Sequence, residues 1–247
     1  MQNFRPSINT IPPVVKNLII INVLMWLATI VLNMRGIDLT NILALHYIES
    51  PDFRPYQLVS HMFMHDSHGP WHLIFNMFAL WMFGRVLESV WGPKRFFIFY
   101  FVTGLGAAAF YSLVNFIEFQ YFSSKMSPEM VQTVMSQGAE ILNQGKNYTG
   151  LAGKLNLLLN VPTVGASGAV FGILLGFGML FPNTELMLLF PPIPIKAKYF
   201  VMGYGAIELF SGIANSGDNI AHFAHLGGML FGFILIKYWN KKTTNFY

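Results

Sequence analysis

Residues 164–182 have the sequence VGASGAVFGILLGFGMLFP, which contains no charged side chain. A helix needs roughly 20 apolar residues of this kind to cross the hydrocarbon core of a bilayer. Gly168, Gly172 and Gly176 recur every four residues, and small residues at this spacing let two helix backbones approach closely. The segment therefore predicts a membrane-spanning helix that packs tightly against a neighbouring helix.

The composition of the whole chain agrees with a membrane protein. Of its 247 residues, 54% are hydrophobic and 11% are charged, against about 25% charged in an ordinary soluble protein. The chain has no cysteine, which excludes disulfide frameworks, thiolate metal sites and a cysteine nucleophile. Basic runs interleaved with aromatic residues are missing as well, so nucleic-acid binding is set aside.

The chain contains six segments that are apolar and long enough to span a bilayer. They lie near 17–34, 71–90, 95–117, 164–182, 198–213 and 219–239. The expected fold is all-α, a polytopic bundle of six transmembrane helices. We expect residues 1–247 to form a single membrane domain, with the spans in a core of about 17–240.

The distribution of Lys and Arg predicts the orientation of this bundle. With the N-terminus inside, ten of the fifteen basic residues lie in inside segments and five in outside segments. The excess of positive charge inside places both termini in the cytoplasm. Because no transit sequence is evident, the expected location is a bacterial plasma membrane.

Two outer loops, residues 35–70 and 118–163, are long. The second contains Ser127-Pro128-Glu129, which is a helix-start signal with a capping residue, a proline at the first helical position and an early acid. Apolar residues follow at helical spacing up to Leu142, and 151–159 is a further apolar stretch. The pattern predicts two short helices, which either lie on the membrane surface or pack on the outer loops of the bundle.

Polar side chains inside a membrane span are costly, so they are candidates for function. His72 and Asn76 share one face of span two, Ser167 enters span four, and His222 and His225 share one face of span six. All three spans run inward from the outside. His225 is about six residues into its span, or roughly 9 Å, so the three clusters are expected to meet at similar depth in the outer half of the membrane.

A serine and a histidine at one depth indicate nucleophilic catalysis, because an imidazole can take the hydroxyl proton during attack. The resulting oxyanion needs preorganised donors. The Asn76 amide, the His72 ring and the Ser167 backbone N–H are candidates. Since spans two, four and six carry no acid at this depth, the expected arrangement is a Ser–His dyad without a third member. Glu88 and Glu208 are expected to be structural.

Other interpretations of these residues are open. The sequence GASG at 165–168 could be a helix-packing motif, and an intramembrane histidine often only bonds a neighbouring helix. The spacing of His61 and His65, and of His68 and His72, could indicate a metal. The H-E-x-x-H pattern of zinc proteases is missing, and we expect no metal and no cofactor.

The chain resembles the rhomboid family of intramembrane serine proteases over about residues 17–240. The motifs that carry the resemblance are His61-x-x-x-His65 followed by His72-x-x-x-Asn76, Gly165-Ala166-Ser167-Gly168, and Ala221-His222-Phe223-Ala224-His225-Leu226-Gly227-Gly228. The first outer loop departs from the family, which often has Trp-Arg where this chain has Tyr56-Gln57. The loop at 118–163 is long for the family core.

The resemblance implies a role for each matching residue. Ser167 is the nucleophile and His225, followed three residues later by Gly228, is the general base. His72, Asn76 and the Ser167 backbone stabilise the oxyanion, and Phe171 stacks on the catalytic histidine. The supporting residues are Gly165, Gly168, Phe171, His222 and Gly228.

The implied function is an endopeptidase that cleaves transmembrane segments of other proteins, with the lipid bilayer as its surroundings. One alternative is a catalytically silent relative that binds membrane clients. A transporter is the other alternative, but residues 1–117 and 118–247 show no repeat of the kind that transporters carry.

Overall fold

The computed structural model describes residues 11–187, 192–214 and 219–242. The helices in these residues are α1 Pro13–Asn33, α2 Leu39–Leu43, α3 Gln57–Ser60, α4 Trp71–Ala79, α5 Arg85–Trp91, α6 Pro93–Ser124, α7 Pro128–Asn143, α8 Gly150–Asn160, α9 Ser167–Leu180, α10 Ala197–Ala214 and α11 Asn219–Lys242. A 3₁₀ turn, His61–Phe63, follows α3, and a π-helical turn, Leu80–Gly84, joins α4 to α5. Two short strands, β1 Glu185–Met187 and β2 Pro194–Lys196, pair antiparallel with Leu186 opposite Ile195.

Each of the six predicted spans is a helix in the structure, which confirms the helical membrane bundle. By length and composition, three helices among the described residues can cross a membrane: Pro13–Asn33, Trp71–Trp91 and Pro93–Ser124. Ser167–Leu180 is a shorter apolar helix. Several helix ends differ from the predicted ones: α1 begins at Pro13 rather than 17, α6 continues to Ser124 rather than 117, and α9 begins at Ser167 rather than 164.

The centre of the bundle is built from α6, α9 and α11, which pack against one another. Large apolar side chains also face outward, and Met202, Phe210 and Ile213 of α10 are each about 68–69% exposed. A soluble monomer rarely exposes large apolar patches, whereas lipid is a suitable solvent for them. The exposed apolar surface is therefore the face that meets the bilayer.

Gln57 organises the loop between α1 and α4. This residue is buried, and its side-chain amide donates hydrogen bonds to the carbonyl oxygens of Ile42, at 3.2 Å, and Asp52, at 3.0 Å. Its side-chain oxygen accepts from the backbone N–H of Arg54 at 3.1 Å. The loop is thus tied together at the position where the sequence departs from the family.

The two predicted helices of the second long loop are α7 and α8. The Ser127 hydroxyl caps α7 by accepting from the backbone N–H of Met130 at 3.3 Å. The helices pack against each other where the Asn156 amide donates to the carbonyl oxygen of Gly138 at 3.1 Å. Their buried residues cluster with Phe122 at the end of α6, which favours packing on the bundle over two separate surface helices.

Glu88 has the structural role that the sequence predicts for it. Its carboxylate oxygens accept hydrogen bonds from the backbone N–H groups of Val14 and Val15, at 2.9 and 2.8 Å. These groups lie in the first turn of α1, where backbone donors have no partner within the helix. The carboxylate therefore caps α1 and fixes it against α5.

Candidate active site

The start of α9 places Ser167, and Gly165 makes this placement possible. Gly165 has a φ of 133°, which side-chain-bearing residues rarely adopt, and its N–H donates to the carbonyl oxygen of His61 at 3.0 Å. A Cβ at this position would stand 3.2 Å from Nε2 of His72 and 3.3 Å from Oγ of Ser167. The absence of a side chain lets the imidazole and the hydroxyl converge on one point.

His225 on α11 reaches Ser167 because the two helices approach very closely. A Cβ on Gly228 would overlap the carbonyl oxygen of Gly168, so the backbones meet without side chains between them. Nε2 of His225 lies 2.9 Å from Oγ of Ser167, within the range for a nucleophile and its base. The structure thus brings together the serine and the histidine that the sequence singles out.

Phe171 lies one turn after Ser167 on α9. Its ring is parallel to the imidazole of His225, with an interplanar angle of 7° and ring centroids 4.1 Å apart. This stacking restricts the plane of the imidazole, because rotation of the ring would lose the contact.

An acid faces the two histidines of α11, so the expectation of a serine–histidine pair without an acid nearby was wrong. Oε2 of Glu208 lies 3.0 Å from Nδ1 of His225 and 2.6 Å from Nδ1 of His222. Glu208 belongs to α10, the fifth predicted span, which carries neither Ser167 nor a histidine. The carboxylate beside His225 is therefore supplied by the fifth predicted span, not by spans two, four or six.

His72 and Asn76 are placed differently, although they share a helix face. The N–H of Asp66 points at Nδ1 of His72 at 3.5 Å, which favours a proton on Nε2, the ring nitrogen that faces Gly165. The Asn76 amide donates to the carbonyl oxygen of His72, one turn back, at 2.9 Å. Only His72 of this pair lines the cavity at Ser167.

A cavity of about 150 Å³ adjoins Ser167 and His225. Small residues of α6 line it, among them Gly104, Ala107 and Ala108, and His61 lines it as well. Burial lowers the pKa of His61 to about 4. Burial, reinforced by nearby His72, lowers the pKa of His65 to about 3. Both imidazoles are therefore neutral near neutral pH.

Fold and site together define a polytopic helical membrane protein in which a serine hydroxyl is hydrogen-bonded to a half-buried histidine. The model of the Rhomboid domain family matches residues 52–241, which is well over half of the chain. The chain belongs to the rhomboid family.

Several curated proteins are similar to this chain over about 70–75% of its length. Rhomboid protein 1, mitochondrial, of Saccharomyces cerevisiae is 27% identical over 186 residues, which are 75% of this chain and 42% of the yeast protein. RHOMBOID-like protein 12, mitochondrial, of Arabidopsis thaliana is 28% identical over 177 residues, 71% of this chain and 44% of the plant protein. The aligned region thus spans less than half the length of these relatives. Their names place them in mitochondria, so the bacterial plasma membrane stays a prediction from the sequence.

Proposed function

We propose that this protein is an intramembrane serine endopeptidase in which Ser167 is the nucleophile and His225 the general base. The observation that carries the proposal is the 2.9 Å contact between Oγ of Ser167 and Nε2 of His225. The contact is made between two half-buried side chains, next to a cavity and with the imidazole stacked on Phe171. Membership in a family of serine proteases gives independent support.

The first half of the reaction forms an acyl-enzyme. The Ser167 hydroxyl donates its proton to Nε2 of His225 while Oγ attacks the carbonyl carbon of the scissile bond. The tetrahedral intermediate then collapses, the C–N bond breaks, and the proton passes from Nε2 to the leaving amine. The second half repeats these steps with water as the nucleophile, and the proton returns to Oγ when the ester breaks.

The oxyanion of each tetrahedral intermediate needs hydrogen-bond donors at the place where charge develops. We assign this role to Nε2–H of His72 and to the backbone N–H of Ser167 at the start of α9. Asn76 is proposed as a weaker contributor, because its amide donates to the carbonyl oxygen of His72. The second N–H of this amide can still donate to substrate, but only from the position that the bond to His72 fixes.

The proposed substrates are transmembrane segments of other proteins. Support comes from the exposed apolar side chains of the bundle, which let a substrate helix approach through lipid. The small residues of α6 leave a cavity of about 150 Å³, which suits a small side chain next to the scissile bond. The proposal retains the predicted orientation, with both termini in the cytoplasm and the site in the outer half of the membrane.

A fluorophosphonate probe tests the proposal on detergent-solubilised protein. Labelling should occur in the wild type and be lost in Ser167→Ala, together with cleavage of a transmembrane substrate. Ser89→Ala is the matched control, because Ser89 is an exposed serine whose hydroxyl donates to the carbonyl oxygen of Arg85. It should label like wild type. A folded wild type that neither labels nor cleaves would refute the protease and favour the silent client-binding protein.

A further inference from the structure

Glu208 is a buried carboxylate beside the serine–histidine pair, and the pair by itself does not explain why an acid lies there. It is 6% exposed and lies on α10. Its Oε2 contacts Nδ1 of His225 at 3.0 Å and Nδ1 of His222 at 2.6 Å. An isolated ionised carboxylate in such a place is costly, so the two imidazole contacts are what make its burial tolerable.

We propose that Glu208 is a positioning residue that holds His225 in the tautomer required of a general base, and that His222 in turn anchors Glu208. The proposal rests on the proposed function and deepens it. The site is then a hydrogen-bonded chain of four side chains, Ser167, His225, Glu208 and His222.

The tautomer follows from what each group can donate. An ionised carboxylate only accepts hydrogen bonds, whereas a neutral imidazole carries one N–H and one bare nitrogen. The contact with Glu208 therefore places the proton of His225 on Nδ1. Nε2 is then left with its lone pair toward the Ser167 hydroxyl, 2.9 Å away, as proton abstraction requires.

The Glu208 carboxylate also stabilises the positive charge that forms on His225 during the reaction. As Oγ of Ser167 attacks, its proton moves to Nε2 and His225 becomes an imidazolium. The positive charge then lies beside Oε2 of Glu208, a buried carboxylate, where such an interaction is stronger than in solution. When the leaving amine takes the proton from Nε2, the imidazole is neutral again and the Nδ1 proton has not moved.

His222 is one turn before His225 on the same helix, and its side chain is 26% exposed. Its Nδ1 is occupied by Glu208, at a shorter distance than that of His225. The second donor, which comes from the more exposed of the two histidines, holds the carboxylate in place. This arrangement makes His222 an anchor for Glu208 rather than a second base.

The test compares Glu208→Gln with wild type in the full-length protein. A glutamine amide has nearly the same shape but can donate to Nδ1, which favours the wrong tautomer. The corresponding change in a soluble serine protease lowers kcat about 10⁴-fold. We expect kcat to fall by about 10²–10⁴-fold with KM close to wild type, and Glu208→Asp to recover part of the loss.

A second measurement does not depend on turnover. The ¹⁵N resonances of labelled histidine report which ring nitrogen carries the proton. In wild type, His225 should be protonated on Nδ1, and in Glu208→Gln this form should lose its dominance. Glu88→Gln is the matched control, since Glu88 is also a buried carboxylate but caps α1. It should change thermal stability without changing kcat or the state of His225.

Two results would overturn the proposal. One is a folded Glu208→Gln protein with wild-type kcat and an unchanged His225 spectrum. The other is a wild type that loses activity in a chelator and regains it with zinc, because Glu208, His222 and His225 present donor atoms within 4.8 Å of one another and would then be metal ligands. If wild type shows no labelling at all, the protease fails, and the histidine spectra still decide the role of Glu208.

Discussion

Substituting Gly228 with alanine tests whether the approach of α9 and α11 creates the site. A Cβ on Gly228 would overlap the carbonyl oxygen of Gly168 and would lie 2.7 Å from its carbonyl carbon. These are backbone atoms, so no side-chain rotation can relieve the overlap. Ordinary contact begins at 3.4 Å, and the helices must therefore separate by about 0.7 Å or more.

Such a separation is large compared with the range of distances over which Ser167 and His225 can form a hydrogen bond. Added to the 2.9 Å between Ser167 and His225, it gives about 3.6 Å, beyond the roughly 2.6–3.2 Å of a working hydrogen bond. A misplacement near 1 Å can cost about 10²-fold in rate. We therefore expect Gly228→Ala to lower kcat/KM by about 10²-fold and stability by about 1–3 kcal/mol.

The assay is cleavage of a transmembrane substrate under conditions in which both proteins remain folded, together with the rate of fluorophosphonate labelling. Gly203→Ala is the matched control. Gly203 lies on α10, and nothing is within 4 Å of the position of its Cβ. This variant should keep its activity and gain a little stability, because alanine favours a helix over glycine. Wild-type labelling by a folded Gly228→Ala would refute the packing argument.

Three further outcomes are expected. His225→Ala should abolish labelling and cleavage, whereas His222→Ala should only reduce them, as measured on protein of equal folded fraction. His72→Ala should lower kcat by about 10²–10³-fold and Asn76→Ala by less, in the same cleavage assay. Because burial lowers the pKa of His61 to about 4, below the usual value of about 6.5 for a histidine, the unfolded state takes up a proton first as pH falls. The melting temperature should then drop between about pH 6.5 and 4, and His61→Gln should weaken that dependence.

The helices of the bundle were predictable from sequence because each has a long apolar run. Glycine spacing was equally informative, since the repeat that includes Gly168 and Gly172 marks the surface of α9 where α6 packs, against Ala107 and Thr103. Helix ends were harder to predict. The φ of Gly165 at 133° interrupts the backbone before Ser167, and a local conformation of this kind leaves little trace in hydropathy.

The two oxyanion candidates show a limit of reasoning from helical spacing. His72 and Asn76 are four residues apart, which correctly puts them on one face. The spacing of two residues along a helix does not determine the hydrogen-bond partners of their side chains. Asn76 satisfies its amide on the preceding turn of its own helix, a common local alternative for a polar side chain within a helix, whereas His72 lines the cavity.

The contact between Glu208 and His225 was not predicted, although the sequence of α10 indicates a close-packed helix face around Glu208. Gly205, Glu208 and Gly212 are separated by three and four residues, so they lie on one face of α10. A Cβ at Gly205 would stand 3.2 Å from Met229, and one at Gly212 would stand 3.2 Å from Phe223. Both neighbours belong to α11, which means that the glycines of this face bring α10 against the helix that carries His225. Small residues spaced to include an acid therefore predict that the acid lies on a close-packed helix face, and the structure shows that the helix packed there is the one that carries His225.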